Sequence, residues 1–281
     1  MCSAPAERDA HFVRDVSFGS EVRFAREAEH ITSLCDEGAI HHYGEAITSR
    51  RQSRHITPLD TPSLLCYNET NNTKGGGDMK TREMKKITDH FDRYFEQTDS
   101  MVIHPIVDNG FHVDVLLYKP NEKYPFWKLV TMGASDYKMP PVSNTVSQHN
   151  EYIMFVHADE MLDNQEIASW YFNKLVMIAS FAHDNQCHIT YGHSFEWQND
   201  DSDDEMVAAF IEFPQIIETV EILRCKIGLL KTVACLQVVL LNKNDLAKLM
   251  EIGPQAFSEY LYPDNDEQPH FFSERHRSDN F

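Results

Sequence analysis

From Met79 onward the apolar residues keep changing their spacing, from about one in 3.6 to one in two and back. They never settle into a repeating strand–helix–strand unit. That pattern rules out a doubly wound parallel sheet and predicts an α+β fold, a mixed β-sheet flanked by helices. Met84, Ile87, Phe91 and Phe95 predict an amphipathic helix over residues 81–97 with Thr81 as its N-cap. Residues 101–107 read as a short strand broken by Pro105. Residues 111–118, 127–132 and 152–157 read as strands. A helix opens at Asp163-Asn164-Gln165-Glu166, a capping-box pattern, with Ile167, Trp170, Phe172, Leu175, Ile178 and Ala182 on its apolar side. Residues 187–195 are β-like, and 206–213 and 232–241 are apolar strands. Asn244 is the expected cap of a helix ending at Gly253-Pro254, followed by a short helix over 255–261.

The segment before Met79 is different in kind. Its apolar residues are scattered, and it ends in Lys74-Gly75-Gly76-Gly77-Asp78. We read residues 1–78 as a poorly structured extension or linker, residues 79–262 as one domain and 263–281 as a mobile tail. A second reading of the extension stays open. Lys-Gly-Gly can be encoded by the purine run of a bacterial ribosome-binding site, so residues 1–78 could be upstream DNA translated in frame ahead of Met79.

The net charge of −19 over 281 residues argues against nucleic-acid or anionic-membrane binding and suits a basic protein partner. The six cysteines form no CxxC pair, which fits reduced thiols in the cytoplasm. No signal-peptide pattern opens the chain, and no apolar run reaches the roughly 18 residues of a membrane span.

The stretch with the most structured exit is LVTMGASDYKMP, residues 129–140. A strand stops at Gly133, passes through Ala134-Ser135-Asp136 and closes on Met139 before Pro140-Pro141. This stretch resembles the signature loop of the Suppressor of fused family, in which a strand reading roughly LVT.GMSD..M precedes an excursion. Other segments follow that family in order: His112-Val113-Asp114-Val115 with Lys119-Pro120, Asn150 to Phe155, Trp170 with Leu175, Thr190 to His193, Ile211 to Pro214, and Val238 to Leu246. The resemblance spans about residues 79–261. It departs at Ala134, where Met is usual, and at Phe155-Val156, where Leu-Pro is usual.

The resemblance implies the same α+β architecture and a protein-binding role. In animals the family restrains zinc-finger transcription factors of the hedgehog pathway, and its bacterial members look like immunity proteins that neutralise a cognate toxin. The ribosome-binding-site reading favours a bacterial member, hence an immunity-type protein with a basic toxin as partner; a regulatory binder of a transcription factor or other protein is the alternative. The expected binding surface is Ser135, Asp136, Tyr137, Lys138 and Met139, taken as an exposed loop, together with the acidic loop residues Asp200, Asp201, Asp203, Asp204 and Glu205.

Catalytic chemistry is not expected. Ser135 lacks the G-x-S-x-G context, because Tyr137 stands where the second glycine belongs. There is no P-loop, no dinucleotide fingerprint, no HExxH and no EF-hand glycine in the acidic loop, so no cofactor and no metal are expected. The weaker rival is a metal-dependent hydrolase built on His112, Asp114 and Glu151, with a scaffolding role through the helix over 165–183 as a third reading.

Overall fold

The computed structural model describes residues 65–67, 78–104, 111–197, 204–263 and 269–276. Among them, nine strands form one mixed sheet, with three helices packed on it. The strands are β1 (Leu65–Tyr67), β2 (Met101–His104), β3 (Asp114–Tyr118), β4 (Trp127–Met132), β5 (Asn150–Val156), β6 (Ser194–Glu196), β7 (Ala208–Glu212), β8 (Arg224–Lys226) and β9 (Thr232–Leu241). The helices are α1 (Asp78–Phe95), α2 (Gln165–Asn185) and α3 (Lys243–Leu261). The sheet order is β1-β2-β3-β4-β5-β9-β7-β6. Every pairing is antiparallel except that of β5 with β9. The far edge of β9 is divided: β7 pairs with its second half, and β8 with its first three residues.

Every residue of β3, β4 and β5 is buried, so both faces of the central sheet are covered. Helix α1 covers one face. Its Phe95 packs edge-on against Tyr118, and Tyr118 donates to Asp92 at 2.8 Å. Helix α2 packs on β3, β4 and β5.

Several expected boundaries shift. Helix α1 already begins at Asp78, so Thr81 lies inside it and is not its cap. Asn164 does cap α2, accepting from Glu166 and Ile167 N–H. The third helical residue is Ile167, which has no side-chain acceptor to complete a box. The reciprocal box occurs instead on α3, where Asn242 caps and Asp245 returns the bond; the expected cap, Asn244, is already helical. Gly253 breaks α3 at φ 82°, where the two expected helices meet. Residues 187–193 stay irregular, and only Ser194–Glu196 is a strand.

Two larger corrections concern the ends. Part of the expected unstructured extension belongs to the sheet, because β1 pairs with β2. The expected mobile tail also packs, at least over residues 269–276. Phe271 is 2% exposed and stacks on Tyr262 at 4.8 Å. Beyond Ile153 and Gln237 the β5–β9 register stops, and Ser273 takes the vacated hydrogen-bonding positions. Its N–H donates to Phe155 O at 2.8 Å and its Oγ accepts from Leu240 N at 3.1 Å. Tail charge and prolines hid this, because the buried part of the anchor rests on few residues, chiefly Phe271 and Ser273, with Phe272 and Arg275 adding contacts to Phe126 and Glu160.

Two buried charged side chains bear on stability. Lys128 donates to Lys119 O at 2.8 Å beneath the rings of Phe95, Tyr124 and Phe126, and burial lowers its pKa to about 8. Glu212 accepts from Phe213 N at 2.7 Å through Oε1, while its Oε2 has no hydrogen-bond partner among the described residues. Burial raises the Glu212 pKa from 4.5 to about 7. The folded chain therefore binds an extra proton between those values, and this contribution to stability is lost as pH climbs through about 7. Denaturant unfolding of Glu212→Gln beside the parent checks it. The variant gains about 2–3 kcal/mol relative to the parent between pH 5 and pH 8. A pH-independent difference between the two would refute the assignment.

Candidate protein-binding face

The exit of β4 is shaped by one glycine and one buried carboxylate. Gly133 sits at φ 119°, and a Cβ there would lie 2.7 Å from His112 O. Only glycine fits so close to that carbonyl. Residues Ala134–Asp136 then make a 3₁₀ turn, with Asp136 N donating to Gly133 O at 3.0 Å. Beneath the turn, Glu151 of β5 accepts from Gly133 N at 3.0 Å and Ser135 N at 3.1 Å through Oε1. Its Oε2 accepts from Thr131 Oγ1 at 2.6 Å, and Thr131 Oγ1 in turn accepts from Tyr152 N at 2.7 Å. Burial pushes the Glu151 pKa up to about 7, opposed by these donors. His149 holds the far side of the turn, its Nδ1–H donating to Ser135 O at 2.8 Å.

The loop does not display all five of its expected residues. Ser135 and Met139 are buried, at 1% and 2% exposure. Met139 is the loop's anchor: its backbone N–H donates to Gln148 O at 2.8 Å, and its sulfur lies 3.3 Å from Ile189 N. Tyr137 is half-buried, edge-on to Phe111 and His183. Asp136 and Lys138 are exposed, and Asp136 lies 3.8 Å from Lys231, which also pairs with Glu83 at 2.8 Å. A methionine before two prolines suits either a buried plug or an interface; only the register of the loop decides between them.

The second expected patch divides. Asp200, Asp201 and Asp203 lie outside the described residues. Asp204 is committed inward, paired with Lys174 at 2.6 Å with 13% of each side chain exposed. Lys174 also lies over the Trp197 ring at 4.6 Å. Glu205 is exposed and 3.6 Å from His276.

A feature that pattern reading missed lies beside the loop. The turn joining β8 to β9 carries Leu229 and Leu230 at 100% and 98% exposure, and Val142, between the cleft-lining Pro141 and Ser143, is 51% exposed. Two leucines at a hairpin tip, where Gly, Asn or Asp are usual, were the available signal. Between that hairpin and residues 138–149 runs a cleft of about 520 Å³, lined among others by Lys138, Pro141, His149, Arg224, Leu230 and Leu236. The signature loop and the leucine hairpin are thus two rims of one groove.

The His112, Asp114 and Glu151 constellation does not assemble as expected. Glu151 is spent on the loop backbone. The residue that joins His112 and Asp114 is His104, whose Nδ1 lies 2.8 Å from Asp114 just past the last β2–β3 pair, Ile103 with Val115.

The family model for Suppressor of fused protein matches residues 110–273, more than half of the chain. A search of curated protein sequences returned no match. Among solved structures, Drosophila Suppressor of Fused is similar at 14% identity with a TM-score of 0.50, covering 69% of this chain and 50% of that one. This chain thus spans about half of the Drosophila protein, and at that identity the likeness is one of fold. A chain of a Sufu–Fu complex is 14% identical, with a TM-score of 0.48 and coverage of 70% and 91%. A Suppressor of fused homologue from Neisseria gonorrhoeae is 11% identical, with a TM-score of 0.48 and coverage of 64% and 89%. With its loop, strands β3 to β9 and the anchoring Phe271 and Ser273 inside the matched span, this chain belongs to the Suppressor of fused protein family.

Proposed function

We propose that the chain is a non-enzymatic protein-binding domain that grips its partner across the groove between Lys138 and Leu230, and that it serves as an immunity-type protein neutralising a cognate toxin. The observation that carries the binding reading is the pair of fully exposed leucines on the rim of that groove. Apolar side chains held out in water on a hairpin tip are unfavourable until something covers them. The net charge of −19 bears on approach rather than contact: it draws in a basic partner from a distance. At the groove itself Lys138 and Arg224 are cationic within a lining of mixed polar and apolar side chains, so the groove offers partners for carboxylates beside its leucine rim.

The test is co-expression of the full chain with the product of the gene immediately upstream, scored by growth and by a co-purifying complex. Rescue with a stable complex is expected. Leu229→Asp with Leu230→Asp weakens that complex by about 100-fold or more while leaving the melting temperature in place, because the leucines make no buried contact. Absence of rescue would reject the toxin role. Undiminished affinity of the double variant would reject the groove.

A further inference from the structure

We propose that His104, His112 and Asp114 form a binding site for a divalent first-row transition metal, separate from the partner groove. His104 closes β2 and Asp114 opens β3, each next to the last residue pair between those strands, Ile103 with Val115. His112 lies two residues before Asp114, the spacing that returns a side chain to the same face of an extended segment. Their ligand atoms all lie within 4.8 Å of one another. His104 Nδ1 is 2.8 Å and His112 Nε2 is 2.6 Å from the same oxygen of Asp114. The two rings lie nearly parallel, 26° apart.

The burial pattern suits an ion. The Asp114 side chain is 2% exposed, while those of His104 and His112 are 35% and 34% exposed. A buried carboxylate needs compensation, and the open side toward the histidines leaves a way in for a hydrated metal. Two imidazoles and one carboxylate are the donor set of zinc and its neighbours, with coordination positions left for water. Calcium and magnesium, which want oxygen donors, are disfavoured. On binding, His104 Nδ1 and His112 Nε2 present lone pairs, their ring protons moving to the opposite nitrogens. The two nitrogen-to-oxygen distances then widen from 2.8 and 2.6 Å toward the ~3.3 Å of a tetrahedral shell with bonds of about 2.0 Å. The ion would clip the end of β2 to the start of β3.

The test uses the full chain, stripped with chelator and then given zinc or cobalt salts. Wild type is expected to take up one zinc per chain more than the His104→Ala, His112→Ala double variant. Either single change should weaken zinc binding by at least about 100-fold. With cobalt, wild type should show visible absorption bands that the double variant lacks. Because the chain has 15 histidines, equal uptake by wild type and double variant would mean scattered surface binding and would overturn the site. Should the variants fail to fold, cobalt broadening of backbone resonances in wild type decides. Broadening centred on Ile103, His104, Val113 and Asp114 supports the site, and broadening elsewhere or none rejects it.

Discussion

Replacing Glu151 with alanine lowers the unfolding free energy by about 3–5 kcal/mol, the cost of leaving three buried donors unpaired less the relief of no longer burying a carboxyl group. The carboxylate receives three donors at once: Thr131 Oγ1, Gly133 N and Ser135 N. Alanine leaves all three facing a space that water does not fill well, and each unsatisfied buried group costs about 1–3 kcal/mol. Part of that is offset because a carboxylate no longer has to be buried. Glutamine loses less, about 1–2 kcal/mol, since its oxygen can keep the two backbone donors while its NH₂ faces Thr131. Chemical denaturation of the two variants beside the parent checks the order. An alanine variant as stable as the glutamine variant would show that the three donors find other partners. The loop also loses its shape, so under the proposed groove reading Glu151→Ala weakens the co-purifying complex as well, although Glu151 never reaches the surface.

Phe271→Ala is expected to cost a further large amount, about 3–5 kcal/mol, as for other buried phenylalanines cut to alanine. The ring contacts those of Phe126, Phe155, Tyr262 and Phe272. Its backbone carbonyl accepts from Gln237 at 3.0 Å in the middle of β9. Loss of the ring loosens the strap that carries Ser273 into the β5–β9 gap, so hydrogen exchange at Leu240 N should quicken together with the drop in stability. Unchanged exchange there, with a small loss of stability, would mean that the strap is dispensable. Residues 263–281 read as mobile from their prolines and charges. The contacts that hold Phe271 and Ser273 come from a strand more than 30 residues away in sequence, at Gln237 and Leu240.

The outcomes differ by the range of the signal. Strands β4 and β9 fall where their β-rich runs ended, at Trp127–Met132 and Thr232–Leu241, because apolar runs bounded by turns are local information. Gly133 was visible as the stop of β4, though not the carbonyl of His112 that makes glycine obligatory. The loop's position was legible, but which of its residues face water was not. Met139 turned inward and Leu229 turned outward, against the usual preference of both places. Hydrophobicity alone does not say whether a side chain is core or contact surface.

By itself the sequence determined the alternation of helix and strand, the mixed α+β class and the place where β4 breaks, since periodicity and turn chemistry act over a few residues. Only the tertiary structure decided the rest. The register of β2 on β3 set His104 against Asp114, the neighbouring of β4 and β5 put Glu151 under the loop backbone, and the return of the chain placed Phe271 among distant rings. Those pairings join segments whose separation along the chain carries no local preference. They are selected by the burial and hydrogen-bond satisfaction of the whole sheet.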